Sequence, residues 1–207
     1  MYTALRATSQ TLAEYLRQRL ESDTNLGPLF NAGLGGTRVV SLNTPQEMTE
    51  NDAQGLSVWL YRVVRDEQRL NLPPERLDQN HLRRTPLPLR LHYLITPIAK
   101  SNTGANPETE QAILGKVLQA FHDYPKLRGT HLQDDLEGTT VELNIRLEPM
   151  SLEEVTRVWD ALDRSYQLSV SYEVSVVHIQ SEREADDVAP VEVVLPEYGL
   201  IVSPESR

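Results

Sequence analysis

The chain has 207 residues, no cysteine, 13 prolines and a formal net charge of −10. That length admits one large domain, or one domain with appendages. The absence of cysteine excludes disulfides and thiolate chemistry, no apolar run approaches the roughly 20 residues of a membrane span, and the acidic balance argues against a general nucleic-acid binder.

In chain order, "TALRATSQTLAEYLRQRLES" predicts a helix, with Leu5, Leu12, Leu16 and Leu20 along one side. It lacks the continuous apolar core of a signal peptide, and the cytoplasm is the default expectation. "NLGPLFNAGLGG" carries four glycines and a proline, so residues 25–36 are expected as loop. "TRVVSL" predicts a short strand. Gly55 to Glu67 predicts a strand apolar on both faces in its middle (Val58, Trp59, Leu60, Tyr61), hence central in its sheet. Pro73 and Pro74 forbid regular structure through the next stretch. "PLRLHYLITPIA" predicts a strand with Leu87, Leu89, Leu91, Tyr93 and Ile95 on one face.

A helix is expected from Pro107, with Asn106 as N-cap and a stripe of Ile113, Leu114, Val117, Leu118 and Phe121. Gly115 inside it suggests a close approach, since glycine there costs about 1 kcal/mol against alanine. "TTVELNIRLEP" alternates as a strand, with Val141, Leu143, Ile145 and Leu147 on one side. Ser151 and Glu154 have capping-box spacing and open a helix whose stripe is Leu152, Val155, Val158, Trp159 and Leu162. From Tyr166 to Val176, even positions are large or apolar and the facing set is small or polar: Gln167, Ser169, Ser171, Glu173 and Ser175. That back could pack against a neighbour or the chain's own tail, or be covered by a helix of the same domain.

Adjacent strands 55–67 and 87–98 lack an intervening helix and are expected to pair antiparallel. The whole reads as one α+β domain over residues 1–180, a mixed, largely antiparallel sheet packed by helices largely on one face. An acidic linker and strand-like tail are expected over 181–207. That segment holds seven acids and two bases, a net of −5. The internal stretch from Arg62 to Arg84 is mildly basic by contrast. Such charges read as solvated surface or, in the sharper reading, make Arg62, Arg65, Arg83 and Arg84 candidate subunit contacts, in a ring or stack of copies with complementary surfaces. In the tail, Pro196 separates two β-prone runs, Val191–Leu195 and Tyr198–Val202. Val191, Val193, Leu195, Tyr198, Leu200 and Val202 are candidate partner-binding residues, through strand addition to a sheet edge of the same domain, of the next copy or of a partner; the alternative is a disordered terminus.

No catalytic pattern is found. "GLGG" fails the G-x-G-x-x-G rule at Arg38 and reads as a turn needing positive φ. The five histidines show no pair at zinc spacing. His131 with Asp134, Asp135 and Glu137 is a loose cluster in a loop, expected to be solvated. No G-x-S-x-G elbow is present. Expected cofactors, metals and catalytic residues are none.

Three blocks, "TPLPLRLHYLITPIA", "ETEQAILGKVLQAFHDYP" and "LEPMSLEEVTRVWDALDRSYQLSVSYEVSVVHI", in that order, resemble the cap, or tail-terminator, protein family of contractile injection systems. These are phage-tail-like particles, and the family is also catalogued as a domain of unknown function. The resemblance spans roughly residues 3–180. It implies a fold like that of phage tail terminators and a structural, non-enzymatic role. By the resemblance, six copies form a ring that closes the inner tube at the end distal from the baseplate and contacts the last sheath layer. Expected partners are thus a homo-hexamer, the inner tube protein and the sheath protein, with neither nucleic acid nor membrane insertion, and the expected location is the cytoplasm, within an assembled particle. The alternative class is a small-molecule- or nucleotide-binding α+β enzyme.

Overall fold

The computed structural model describes residues 2–69, 75–76, 81–83, 85–101, 104–181 and 186–187. Its elements are α1 (Ala4–Glu21), α2 (Gly27–Phe30), β1 (Val39–Ser41), α3 (Pro45–Glu50), β2 (Gly55–Arg65), β3 (Glu75–Arg76), β4 (His81–Arg83) and β5 (Leu87–Ile98), then β6 (Lys100–Ser101), β7 (Gly104–Ala105), α4 (Pro107–Asp123), β8 (Lys126–Arg128), β9 (Glu142–Leu147), α5 (Leu152–Ala161), β10 (Val170–Ile179) and β11 (Asp186–Asp187). Six strands form the main sheet in the order β1-β2-β5-β10-β9-β8. β1 runs parallel to β2, and every other pair is antiparallel. This is the α+β, mixed and largely antiparallel arrangement expected from the order of elements.

β5 is the spine. Leu89, Leu91, Tyr93 and Ile95 alternate on its inner face and are buried in the main core. They meet Tyr172, Val174 and Val177 of β10, and Leu143 and Ile145 of β9 lie beyond. α1 and α4 cover that face. The first half of α1 buries small residues, Ala4, Ala7, Thr8 and Thr11. The two threonines return their hydroxyls to Ala4 O and Ala7 O at 2.7 and 2.8 Å, so burial leaves them satisfied. Tyr15 donates to Ala120 O at 3.0 Å, joining α1 to α4, and Ser9 meets the Tyr93 hydroxyl at 2.9 Å. Burial pushes the Tyr93 hydroxyl well above its ordinary pKa and Tyr172 up to about 12.

Two bulges bend the sheet. One lies in β2 between Leu60 and Arg62, the other in β10 between Val174 and Val177. The second shifts the period-two pattern by one, so Val177 takes the inner face after Val174.

Several expectations are corrected. Residues 25–36 contain the turn of helix α2 and a 3₁₀ turn, because Leu26 and Phe30 bury against the core. Pro28 suits such a first turn. β2 is interior only at its start: β1 pairs with Gly55–Ser57 alone, and Val63 is 44% exposed. β10 begins at Val170, leaving Tyr166 and Leu168 exposed ahead of it. Leu152, at the overhanging start of α5, is 68% exposed and not part of the buried stripe. α5 lies on the opposite face from α1 and α4, since its Val155 and Trp159 pack on Leu94. Helices therefore cover both faces. α3 was not foreseen, although Thr44 and Glu47 form a full capping box.

The caps of the two later helices are as expected. Asn106 accepts from Thr109 N, and Ser151 and Glu154 close a capping box. Gly115, however, has no close neighbour: a Cβ there meets nothing within 4 Å. Gly115→Ala should therefore raise stability by about 1 kcal/mol. Urea titration should show a higher midpoint at unchanged slope. An unchanged or lower midpoint would mean that the exposed side of α4 is occupied.

β11 pairs back onto β4, Asp187 opposite His81 and Asp186 opposite Leu82. The acidic segment and the basic stretch thus meet first within one chain, at the level of the backbone.

Candidate functional site: the polar face of the sheet

The outer face of the sheet is divided. One part is covered by α5, where Leu94, Val155 and Trp159 form a small apolar cluster with the partly buried Trp59, Tyr61, Met150, Val158 and Leu162. Here the serine back of β10 is closed off within the monomer. Trp159 Nε1 donates to Ser169 Oγ at 3.1 Å, and the Tyr61 hydroxyl lies 3.0 Å from Ser171 Oγ. Small side chains are what allow the indole and phenol to lie against the strand.

The remaining part is open and charged. Alternation along β5 and β10 brings Arg90, His92 and Glu173 to this side, opposite the inner Leu91 and Val174. Arg90 Nη2 donates to the buried Asp66 at 2.8 Å and its Nη1 stands 3.6 Å from Glu173. Arg146 Nη2 reaches Glu173 at 3.2 Å. The hydrogen bond to Asp66 holds the Arg90 pKa above its ordinary value. Two clefts, of about 340 and 310 Å³, flank this line of charges. Arg62 and Arg65, two of the candidate subunit contacts, are exposed at the rim of the second. The side chain of Arg83, all of Arg84, and the tail residues Val191, Val193, Leu195, Tyr198, Leu200 and Val202 lie outside the described residues.

Beneath the rim, His92 is 5% exposed, with Nδ1 2.8 Å from Glu148 Oε1. Ser171 donates to the other Glu148 oxygen at 2.5 Å. Burial pushes the Glu148 carboxyl up, but hydrogen bonds from His92 and Ser171 outweigh it and hold the group below its ordinary pKa. Serine, glutamate and histidine are therefore linked, but with the carboxylate in the middle. A nucleophile needs the imidazole against the hydroxyl and the carboxylate behind it. Ser171 is also only 2% exposed, out of reach of a substrate.

His92, Glu148 and Glu173 also place three ligand-type atoms within 4.8 Å of one another. The Glu173 carboxylate already faces two guanidiniums, which a divalent cation would have to displace. The arrangement fits an ion-pair network better than a metal centre. The loop cluster named from sequence is instead divided: Arg6 binds Asp134 at 2.7 Å, while the ring of His131 packs edge-on to Tyr15. The sequence offered little sign of the His92–Glu148 pairing, because 56 residues separate the partners.

Two solved structures share this fold. One is the sheath/tube terminator, in the extended state, of an extracellular contractile injection system, PVC: TM-score 0.60, 18% identity, covering 96% of this chain and 64% of that one. The other is the tube-terminating cap of the anti-feeding prophage, AFP: TM-score 0.51, 17% identity, covering 87% and 62%. The fold is thus the α+β type of tail terminators. The Pvc16 N-terminal domain model matches residues 7–192, and the chain belongs to that family. It is the cap family of contractile injection systems that the three sequence blocks resemble. A search of curated proteins gives no match. The chain spans less than two thirds of the length of either structural relative. Among the described residues, no helix is long and apolar enough to cross a membrane.

Proposed function

We propose that this chain is a structural cap of a contractile injection system. The observation that carries the reading is the family match over residues 7–192, together with a fold shared with two tube-terminating proteins. In this reading six copies form a ring on the last layer of the inner tube and contact the adjoining sheath layer. Arg62 and Arg65, exposed at the cleft rim, contact a neighbouring copy together with Arg83 and Arg84. The acidic 181–207 segment supplies charge of the opposite sign. The role is non-enzymatic, in keeping with the inverted order of Ser171, Glu148 and His92. Neither nucleic acid nor membrane insertion is part of it.

Electron cryomicroscopy of tube ends bearing this protein tests the reading. Six-fold density for the cap is expected. A cap of any other symmetry, or tube ends without it, would overturn the proposal.

A further inference from the structure

On the inner face lies a concavity of about 780 Å³, which meets the polar face at Arg146, a residue lining both. Leu118 and Phe121 of α4, Pro125, and Leu147 and Tyr172 of the sheet line it. Phe121 and Tyr172 form the floor, their rings 4.9 Å apart and edge-to-face. Leu147 remains 48% exposed at the lip, an unusual position for leucine in a strand beside a core.

The same lip is an open sheet edge. β8 pairs with β9 only over Glu142–Asn144, and Pro125 O then takes Ile145 N at 2.8 Å. Glu148 N bonds to Ser171 O of the β10 segment at 2.9 Å. Antiparallel strands alternate the direction of their backbone groups, so Leu147 turns its N–H and C=O outward, past the end of β8. An apolar groove beside free backbone groups is the geometry that accepts an added strand.

We infer that this groove receives residues 191–195 of a neighbouring copy. The sequence there is Val-Glu-Val-Val-Leu. Period two would seat Val191, Val193 and Leu195 in the groove and turn Glu192 and Val194 to the polar face. Arg146 stands on that face next to Leu147, with its side chain 72% exposed. Tyr172 marks the groove at one end of β10, and the chain leaves from the other end at Ile179, roughly 23 Å on at strand rise. A copy's own segment would have to travel back along the sheet from that end, whereas a neighbour's can approach the lip directly. A head-to-tail contact of this kind closes on itself only in a ring. The inference therefore rests on the cap reading.

The chain has no cysteine, which makes the test direct. The full-length double variant Leu147→Cys/Val193→Cys should be assembled on tube ends and oxidised mildly. Denaturing gels without reductant should show a ladder of linked copies. Mixing the two single variants should give linked pairs and nothing larger. An intramolecular link alone, or no link in caps that retain six-fold symmetry, would overturn the inference and leave the cap reading intact. A different cap symmetry would strike the hexamer reading, while the ladder would still decide this one. As a second arm, Leu147→Arg and truncation after Pro190, which keeps β11 and the acidic residues up to Asp187, should each lower cap occupancy by about an order of magnitude. Combined, they should do little more than either alone, because they remove one contact. Additive losses, or no loss, would also overturn it.

Discussion

Replacing Trp159 by Ala should lower the unfolding free energy by about 3–5 kcal/mol. The indole is 1% exposed, and it anchors α5 through an apolar cluster whose other buried members, among the described residues, are Leu94 and Val155. So small a cluster has few neighbours able to fill the void. The change also removes the donor to Ser169, leaving a hydroxyl that is 9% exposed without that partner. With a domain stability typically of about 5–15 kcal/mol, the loss is large. Chemical denaturation would read it as a lower midpoint. Trp159→Phe keeps most of the buried area and should lose less than half as much. If the alanine variant keeps its midpoint, α5 is not docked on the outer face, and the serine back of β10 is open.

Gly55→Ala should cost at least about 3 kcal/mol, from backbone strain and overlap together. Gly55 opens β2 at φ +136°, a region open in practice to glycine alone. A Cβ built there would overlap Val39 O and lie 2.6 Å from Val39 N. Both atoms are backbone of β1, so no rotamer change relieves the contact. Either β1 leaves the sheet or β2 withdraws from it. Hydrogen exchange separates the two outcomes: amides of Val40 and Ser41 should lose protection first if the edge strand detaches. Gly35 provides the control. It too has positive φ, +86°, but a Cβ there meets nothing within 4 Å, so Gly35→Ala should cost only about 1 kcal/mol of strain. Equal losses at the two sites would show that crowding by β1 is not the cause.

The elements that were legible in the sequence are those whose signal is local. α1, α4, α5, β5 and β9 each carry a periodic stripe and, for α4 and α5, caps within three residues of the helix start. Side-chain period and capping bonds depend on near neighbours, so a linear reading recovers them. Burial of Trp159 with Val155 was legible for the same reason. So was the antiparallel pairing of β2 with β5, because no helix lies between them to reverse the chain. Three blocks in order carried the family, although no single one is specific.

What the tertiary structure decided depends on which surfaces meet. Periodicity says that a face of β10 is apolar, but not what lies on the other face. Only the packing of α5 showed that Ser169 and Ser171 serve an indole and a phenol. The bulges in β2 and β10 are not marked in either sequence, since an extra residue becomes visible only against the partner strand. Gly115 and Gly55 look alike in the chain. One stands in open space and the other against the Val39 backbone, because that difference is set by a strand paired in space rather than by neighbours in sequence. The charged network has the same origin. Asp66, Arg90, Arg146, Glu148 and Glu173 come from four stretches of chain, and His92 meets Glu148 only after β9 and β5 have both paired with β10. The sequence by itself determined the strongly periodic elements, the fold class and the family. Which residues share a face, and which edge stays open, required the sheet to form, since contacts between distant residues exist only once their strands are in register.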